Sequence, residues 1–139
     1  MITMSDFPIT IYHNPDCGTS RNALAMIEAA GYRPTVVEYL KAGWTLAQLE
    51  ALLAAMGARP RDVLREKGTP AVELGLLDAN ATDAAILGAM VDLPILVNRP
   101  LVVTPKGTKL CRPSEVVLTL LENLPPDFTK EDGEIVRIL

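Results

Sequence analysis

A cysteine in a turn between an apolar strand and a helix is the first candidate for chemistry in this sequence. Cys17 follows Asn14-Pro15-Asp16 and precedes Gly18, Thr19 and Ser20. A thiol at a helix N-terminus lies near the positive end of the helix dipole and near unpaired N–H groups, and both favour the thiolate. The same N–H groups can receive an anion. The segment therefore predicts a nucleophile at Cys17 beside an oxyanion seat formed by Gly18, Thr19 and Ser20.

The only histidine in the chain lies near this cysteine in the sequence. His13 precedes Cys17 by four residues, and a protonated imidazole near the sulfur would lower the pKa of the thiol further. The alternative is that Cys17 is a small buried apolar residue, as most free cysteines are. The turn and His13 together favour the reactive interpretation.

Two common cysteine chemistries do not fit the spacing around Cys17. A dithiol motif needs a second cysteine where Ser20 stands. A phosphatase-type anion loop needs an arginine further along the chain than Arg21. Catalytic turnover at Cys17 would therefore need an external thiol. The second cysteine, Cys111, lies in a predicted strand, where we expect packing; a role as resolving thiol is the alternative.

Three arginines near the ends of predicted elements form a second candidate group: Arg65, Arg99 and Arg112. Arg99 and Arg112 each precede a proline, which keeps both on extended backbone. Guanidinium groups present a fixed fork of donors that matches a tetrahedral oxyanion. The alternative for each is a solvated surface side chain, and we assign that role to the remaining arginines. These are Arg21, Arg33, Arg59, Arg61 and Arg137.

Composition limits the class of protein that could use these groups. The 139 residues carry 13 basic and 17 acidic side chains, a formal charge of −4, which disfavours a nucleic-acid binder. Two cysteines and one histidine exclude a disulfide framework and a Cys/His-rich zinc site. The sequence has no apolar run of about 20 residues for a bilayer and no secretory pattern at its start. We expect a cytoplasmic protein without a membrane partner or bound metal.

The predicted elements that position the candidates form a β-α-β unit, a helical insert and a β-β-α unit. Strands are predicted at residues 9–12, 35–40, 101–104 and 108–111. Helices are predicted at residues 19–30, 45–57, 60–66, 82–91 and 115–121. The tail from Pro125 carries no predicted element. This order predicts an α/β protein with a thioredoxin-like mixed sheet, a single domain over residues 1–139 with an insert at about 45–92. In that fold, Pro100 before the third strand is a candidate for a cis peptide bond beside the nucleophile.

The segment ITIYHNPDCGTSRN, residues 9–22, resembles the signature of the glutathione- and glutaredoxin-dependent arsenate reductases. The resemblance covers nearly the whole chain in the same order. It continues through EYL (38–40), MG (56–57), VLREK (63–67), ELGL (73–76), PILVNRPLVVTPKGTKLCRPSEVVL (94–118) and FTKEDGE (128–134).

This resemblance implies a thioredoxin-like arsenate reductase in which Cys17 attacks arsenate and His13 lowers the pKa of the thiol. It implies that Arg65, Arg99 and Arg112 bind the oxyanion and the arsenic intermediates. It also implies a covalent cysteine–arsenate intermediate, glutathione as co-substrate, glutaredoxin as partner, and no bound cofactor.

Two other functions remain open for the same fold. One is a general thiol oxidoreductase linked to glutathione, which activity on mixed disulfides without arsenate would reveal. The other is a regulator that binds RNA polymerase; such relatives carry Cys-x-x-Cys near the start, whereas this chain has Ser20 and the three arginines.

Overall fold

A computed structural model describes residues 6–138 of the chain. The first five residues, part of the segment inspected for a secretory signal, and Leu139 lie outside the described residues. The chain divides into two compact units, Met1–Glu38 with Arg99–Leu139, and Tyr39–Asn98. The predicted insert at about 45–92 falls inside the second unit, and the single domain stays a prediction. Within residues 6–138, no helix has the length and apolar character needed to cross a membrane.

The first unit contains a four-stranded mixed sheet in the order β2-β1-β3-β4. Its strands are β1 (Thr10–His13), β2 (Thr35–Glu38), β3 (Leu101–Thr104) and β4 (Gly107–Leu110). β1 and β2 are parallel, as a crossover through helix α1 (Gly18–Ala29) requires. β3 pairs antiparallel with both β1 and β4. The predicted β-α-β unit and hairpin are confirmed.

Helix α1 and a C-terminal 3₁₀ helix, Ser114–Leu120, share the hydrophobic core of this unit with the sheet. Met26 and Ile27 of α1 are fully buried, as is Val102 of β3. Each such side chain contributes roughly 1.5–3 kcal/mol by leaving water. This packing fixes the direction of α1, and so the position of its N-terminus, at the end of β1.

Local packing and backbone preferences move several boundaries away from their predicted positions. The strand predicted at 35–40 ends at Glu38, because Tyr39 begins a short helix, α2 (Tyr39–Ala42), and is fully buried with its hydroxyl donating to the Val97 carbonyl at 2.8 Å. The helix predicted at 115–121 is the 3₁₀ helix Ser114–Leu120. Its consecutive valines, Val116 and Val117, are poor α-helix formers.

The second unit contains helices α3 (Leu46–Met56) and α4 (Asp83–Asp92) and two 3₁₀ helices, Pro60–Val63 and Pro94–Leu96. The predictions at 45–57 and 82–91 are confirmed. The helix predicted at 60–66 is shorter, because Leu64 leaves it to form a β-bridge with Val97.

The tail, for which no element is predicted, forms a small hairpin of strands β5 (Phe128–Thr129) and β6 (Ile135–Val136) in the first unit. Asp127 closes the base of this hairpin, accepting from the Ile138 N–H at 2.9 Å. The strands are two residues long, too short for their alternation to be read from sequence.

Thr45 begins α3 with a capping box, in which its hydroxyl accepts from the Gln48 N–H and the Gln48 side chain accepts from the Thr45 N–H, both at 3.1 Å. Thr45→Ala removes one of these bonds and is expected to lower the free energy of unfolding by about 1 kcal/mol. Urea denaturation followed by circular dichroism measures the change. Glu50→Ala, an exposed position on the same helix, is the control and should stay within about 0.5 kcal/mol of wild type. Equal effects of the two changes would contradict the role of the cap.

Candidate active site

The turn between β1 and α1 holds Cys17 at the start of the helix without using its side chain. The Cys17 N–H donates to the Asn14 carbonyl at 3.0 Å, and the Asp16 N–H donates to Asn14 Oδ1 at 3.0 Å. Cys17 is the N-cap residue, with extended backbone (φ −103°, ψ 120°), so its side chain lies at the helix N-terminus. The sulfur is therefore available for chemistry at the helix N-terminus.

Two arginines that flank the β3–β4 hairpin, at the end of the sheet where β1 leads into the turn, face this sulfur. Arg112 Nη1 lies 3.7 Å from Cys17 Sγ and donates to the Arg99 carbonyl at 2.9 Å. Arg99 also hydrogen-bonds the Cys17 side chain. Cys17 is 8% exposed, so these contacts form in a largely desolvated setting, where they are stronger than in water.

Hydrogen bonds overcome burial in setting the charge of Cys17. Burial alone raises the pKa of the thiol, but the Ser20 backbone N–H and the guanidinium groups of Arg99 and Arg112 lower it, and the net pKa falls from 9.0 to about 7. A thiol with this pKa ionises near neutral pH, where a free cysteine stays mostly protonated. The sequence predicted that the helix N-terminus would lower this pKa; it assigned the arginines to the oxyanion and did not predict their effect on the thiol.

The strand register explains how residues 13 positions apart meet at one sulfur. Leu101 of β3 pairs with Leu110 of β4, so Arg99 and Arg112 each lie two residues beyond the paired ends. The Cys111 N–H donates to the Pro100 carbonyl at 2.9 Å and extends the pairing toward them. The Arg99–Pro100 bond is cis, as the sequence suggested, and so is Arg112–Pro113, which was not predicted.

His13 reaches the site through Ser20. His13 Nδ1 lies 2.6 Å from Ser20 Oγ, and the Asn14 N–H donates to the same oxygen at 3.1 Å. Because a hydroxyl oxygen can accept two hydrogen bonds and donate one, Ser20 can serve either neutral tautomer of His13 while it accepts from Asn14. Burial lowers the pKa of His13, despite the Glu38 carboxylate, which raises it. The structure thus favours neutral His13; that His13 lowers the pKa of Cys17 stays a prediction.

The remaining predicted residues of the first turn lie at the start of α1. Gly18 is its first residue, Thr19 is half-buried, and Ser20 is fully buried. Their binding of an anion stays a prediction.

Arg65 belongs to the second unit. Its Nη1 donates to Asn98 Oδ1 at 3.1 Å, its Nε donates to the Lys67 carbonyl at 3.1 Å, and its backbone N–H donates to the Leu96 carbonyl at 2.8 Å. Asn98 is thus a partner of Arg65 that the sequence analysis missed. The role of Arg65 in anion binding stays a prediction.

Cys111 is the second thiol of this unit, and its pKa differs from that of Cys17. It is 0% exposed in the hydrophobic core, and burial raises the pKa of its thiol to about 12. A thiol with this pKa is protonated at neutral pH and a poor nucleophile, which supports the packing interpretation. Within residues 6–138, no three His, Cys, Asp or Glu side chains group so as to hold a metal ion.

Arg21 is a site neighbour that the sequence analysis assigned to the solvated surface. Its guanidinium binds both carboxylate oxygens of Glu131, at 2.8 and 2.9 Å, and donates to the Pro15 carbonyl at 2.7 Å. Glu131 lies in the FTKEDGE segment that carried part of the resemblance, and that match was the available signal.

The chain is similar in sequence to proteins named arsenate reductase, over nearly its whole length. The chain is 61% identical over 134 residues to a protein of Synechocystis sp. named arsenate reductase ArsI1, covering 96% of this chain and 93% of that protein. It is 54% identical over 129 residues to an Escherichia coli protein named arsenate reductase, covering 92% of each.

The structure is similar to that of an arsenate reductase from Vibrio cholerae, with a TM-score of 0.78, 36% sequence identity, and coverage of 83% of this chain and 98% of that one. The mixed sheet and this neighbour confirm the predicted thioredoxin-like fold. The model of the ArsC family matches residues 12–120, which include Cys17, Arg65, Arg99 and Arg112. The chain belongs to the ArsC family.

Proposed function

We propose that this protein reduces arsenate to arsenite, with Cys17 as the nucleophile. The observation that carries the proposal is the Cys17 sulfur, with a pKa of about 7, hydrogen-bonded by Arg99 and Arg112 at the start of a helix. Relatives that cover nearly the whole chain and bear the name arsenate reductase support it. An anionic nucleophile among cationic donors is what attack on a negatively charged oxyanion requires.

Arsenate binds beside this sulfur, in the proposal, on donors that converge from separate parts of the chain. The N–H groups of Gly18, Thr19 and Ser20 lie in the first turn of α1 and favour an anion. The guanidinium groups of Arg99 and Arg112 add charge-assisted hydrogen bonds to its oxygens. The family resemblance adds Arg65 as a third arginine.

The proposed reaction begins when the thiolate attacks arsenic. A sulfur–arsenic bond forms, an arsenic–oxygen bond breaks, and the departing oxygen takes up protons and leaves as water. Two thiols then supply two electrons, so that arsenate and two thiols give arsenite, one disulfide and one water. Phosphate has the same shape and charge, but a thiol cannot reduce it, so selectivity arises in the redox step.

The two reducing thiols come from outside the chain, with glutathione as co-substrate and glutaredoxin as partner. Ser20 stands where a local resolving cysteine would lie, and Cys111 is buried with a pKa of about 12. Glutathione attacks the cysteine–arsenate adduct and displaces a second oxygen as water. Glutaredoxin then attacks the glutathione sulfur, which forms the mixed disulfide and leaves two electrons on arsenic. Water finally breaks the bond between arsenic and Cys17, which releases arsenite and the thiol. These thiols remain reduced in the cytoplasm, where we place the protein.

Cys17→Ser is expected to abolish arsenate reduction, because a serine hydroxyl stays protonated at neutral pH and cannot form the sulfur–arsenic adduct that the external thiols reduce. Oxidation of NADPH, coupled through glutathione reductase, glutathione and glutaredoxin, measures turnover. Cys111→Ala is the matched control: it removes the other thiol, and the enzyme should keep most of its activity.

The same assay separates the possible reductants and functions. Turnover should cease when glutaredoxin is omitted and should not be restored by thioredoxin with its reductase. Arsenate reduction by Cys17→Ser would refute the nucleophile. A wild-type enzyme that reduces mixed disulfides but not arsenate would establish the thiol oxidoreductase instead.

The pKa of Cys17 predicts a pH profile that does not depend on arsenate. Because the thiolate is the nucleophile, alkylation of Cys17 by iodoacetamide should accelerate as pH rises and level off above a midpoint of about 7. Peptide mass spectrometry identifies the modified cysteine. Cys111 should remain unmodified over this range. A midpoint near 9.0, the unperturbed value, would show that Arg99, Arg112 and the Ser20 N–H do not stabilise the thiolate.

Arginine-to-lysine substitutions test the anion site. Lysine keeps the charge but loses the planar donor fork, so Arg99→Lys and Arg112→Lys should each lower kcat/KM for arsenate by about tenfold or more. Arg65→Lys should have a similar effect if the third arginine binds the oxyanion. Arg33→Lys, on an exposed part of the chain, is the control. Kinetics equal to wild type for all three variants would contradict the proposed pocket.

A further inference from the structure

We propose that Glu131, in the C-terminal hairpin, is a positioning residue for the Cys17 turn and that it acts through Arg21. The inference deepens the proposed function, on which its catalytic consequence rests. Glu131 is 110 residues from Arg21 in sequence, so this role makes the tail part of the active-site architecture.

Arg21 links the tail to the turn with all three nitrogens of its guanidinium. Nε and Nη2 donate to the two carboxylate oxygens of Glu131 at 2.8 and 2.9 Å, and Nη1 donates to the Pro15 carbonyl at 2.7 Å. The guanidinium is planar and rigid, so the two bonds to Glu131 fix the direction of the third. The carboxylate therefore determines where Arg21 presents its donor to Pro15.

Glu131 is itself held by its backbone and by its neighbour. The Glu131 N–H donates to Asn22 Oδ1 on α1 at 3.1 Å. Lys130, with a side chain only 10% exposed, pairs with Glu115 at 2.8 Å and Glu134 at 3.1 Å. The hairpin is thus attached both to α1 and to the 3₁₀ helix Ser114–Leu120, and Glu131 has a fixed base from which to hold Arg21.

The held carbonyl belongs to the turn that aims the sulfur. Pro15 follows Asn14, whose backbone and side-chain oxygens accept from the N–H groups of Cys17 and Asp16. The Arg21 N–H donates to the Cys17 carbonyl at 2.9 Å as a backbone bond of α1, so the contact with the turn that depends on the Arg21 side chain is the one to Pro15. Fixing that carbonyl keeps Cys17 Sγ directed at the donors that stabilise its thiolate.

A purely electrostatic role and a positioning role of Glu131 predict opposite changes in the pKa of Cys17. The charged neighbours of Arg21 are Glu131, Asp16 and the Cys17 thiolate. If Glu131 were only a nearby negative charge, its neutralisation would favour the thiolate and lower the pKa of Cys17. If Glu131 positions Arg21, its neutralisation releases the turn, weakens the bonds to the sulfur, and raises that pKa.

The experiment measures the pH midpoint of Cys17 alkylation by iodoacetamide in four variants of the full chain. Glu131→Gln and Arg21→Ala should each raise the midpoint and slow alkylation at about pH 6.5 by roughly two- to threefold, since a bond between exposed charges is worth little. The double variant should show no further change, because both single changes break the same link.

Asp127→Asn, which breaks the Arg137 ion pair within the tail, is the matched control and should behave as wild type. Thermal unfolding confirms that each variant is folded, and Arg21→Lys replaces Arg21→Ala if the latter does not fold.

Three results would overturn the inference: a lowered or unchanged midpoint in Glu131→Gln, additive shifts in the double variant, or an equal shift in Asp127→Asn. Arsenate turnover provides the catalytic readout, and Glu131→Gln should lose more activity at about pH 6 than at about pH 8. Because alkylation needs no arsenate, a wild-type protein inactive on arsenate would refute the proposed function and leave the midpoint test of Glu131 intact.

Discussion

The competition between burial and hydrogen bonding at one sulfur determines what this structure can do. Removing Cys17 from water favours the neutral thiol, yet the Ser20 N–H and two guanidinium groups bring its pKa to about 7. Cys111 shows the other outcome in the same unit, because burial without such donors raises its pKa to about 12. Reactivity therefore follows from the donors around the sulfur and not from the presence of a cysteine. The fold places those donors around Cys17 and not around Cys111.

The donors reach Cys17 by two different routes. Ser20 comes from the helix that Cys17 itself begins, so three residues of local sequence are enough to place it. Arg99 and Arg112 come from the two ends of a hairpin whose register, with Leu101 opposite Leu110, brings them together. The β1–β3 pairing then joins that hairpin to the strand that leads into the turn. Strand pairing in the sheet thus brings donors from distant sequence positions together at Cys17.

Local patterns predicted most of this arrangement, and non-local contacts account for what they missed. Turn residues around Cys17 and a proline after each arginine predicted the helix start and the extended backbone of Arg99 and Arg112. The helix predicted at 115–121 is a 3₁₀ helix instead, since periodicity alone does not distinguish helix types. The Ser20 link to His13 depends on side-chain rotamers within a buried turn, which no spacing rule specifies. Such contacts become visible only once the elements are packed.

Arg21 illustrates why an isolated residue type is a weak guide to role. An arginine on the exposed side of a helix is by default solvated, and Arg21 remains 42% exposed in its side chain. Its contribution arises because the tail supplies a carboxylate that orients its fork toward Pro15. Exposure and influence on the site are therefore separate properties: a surface ion pair adds little stability, yet it can select one direction for a rigid donor. Where a turn must hold a sulfur within reach of its donors, direction matters more than the strength of the pair.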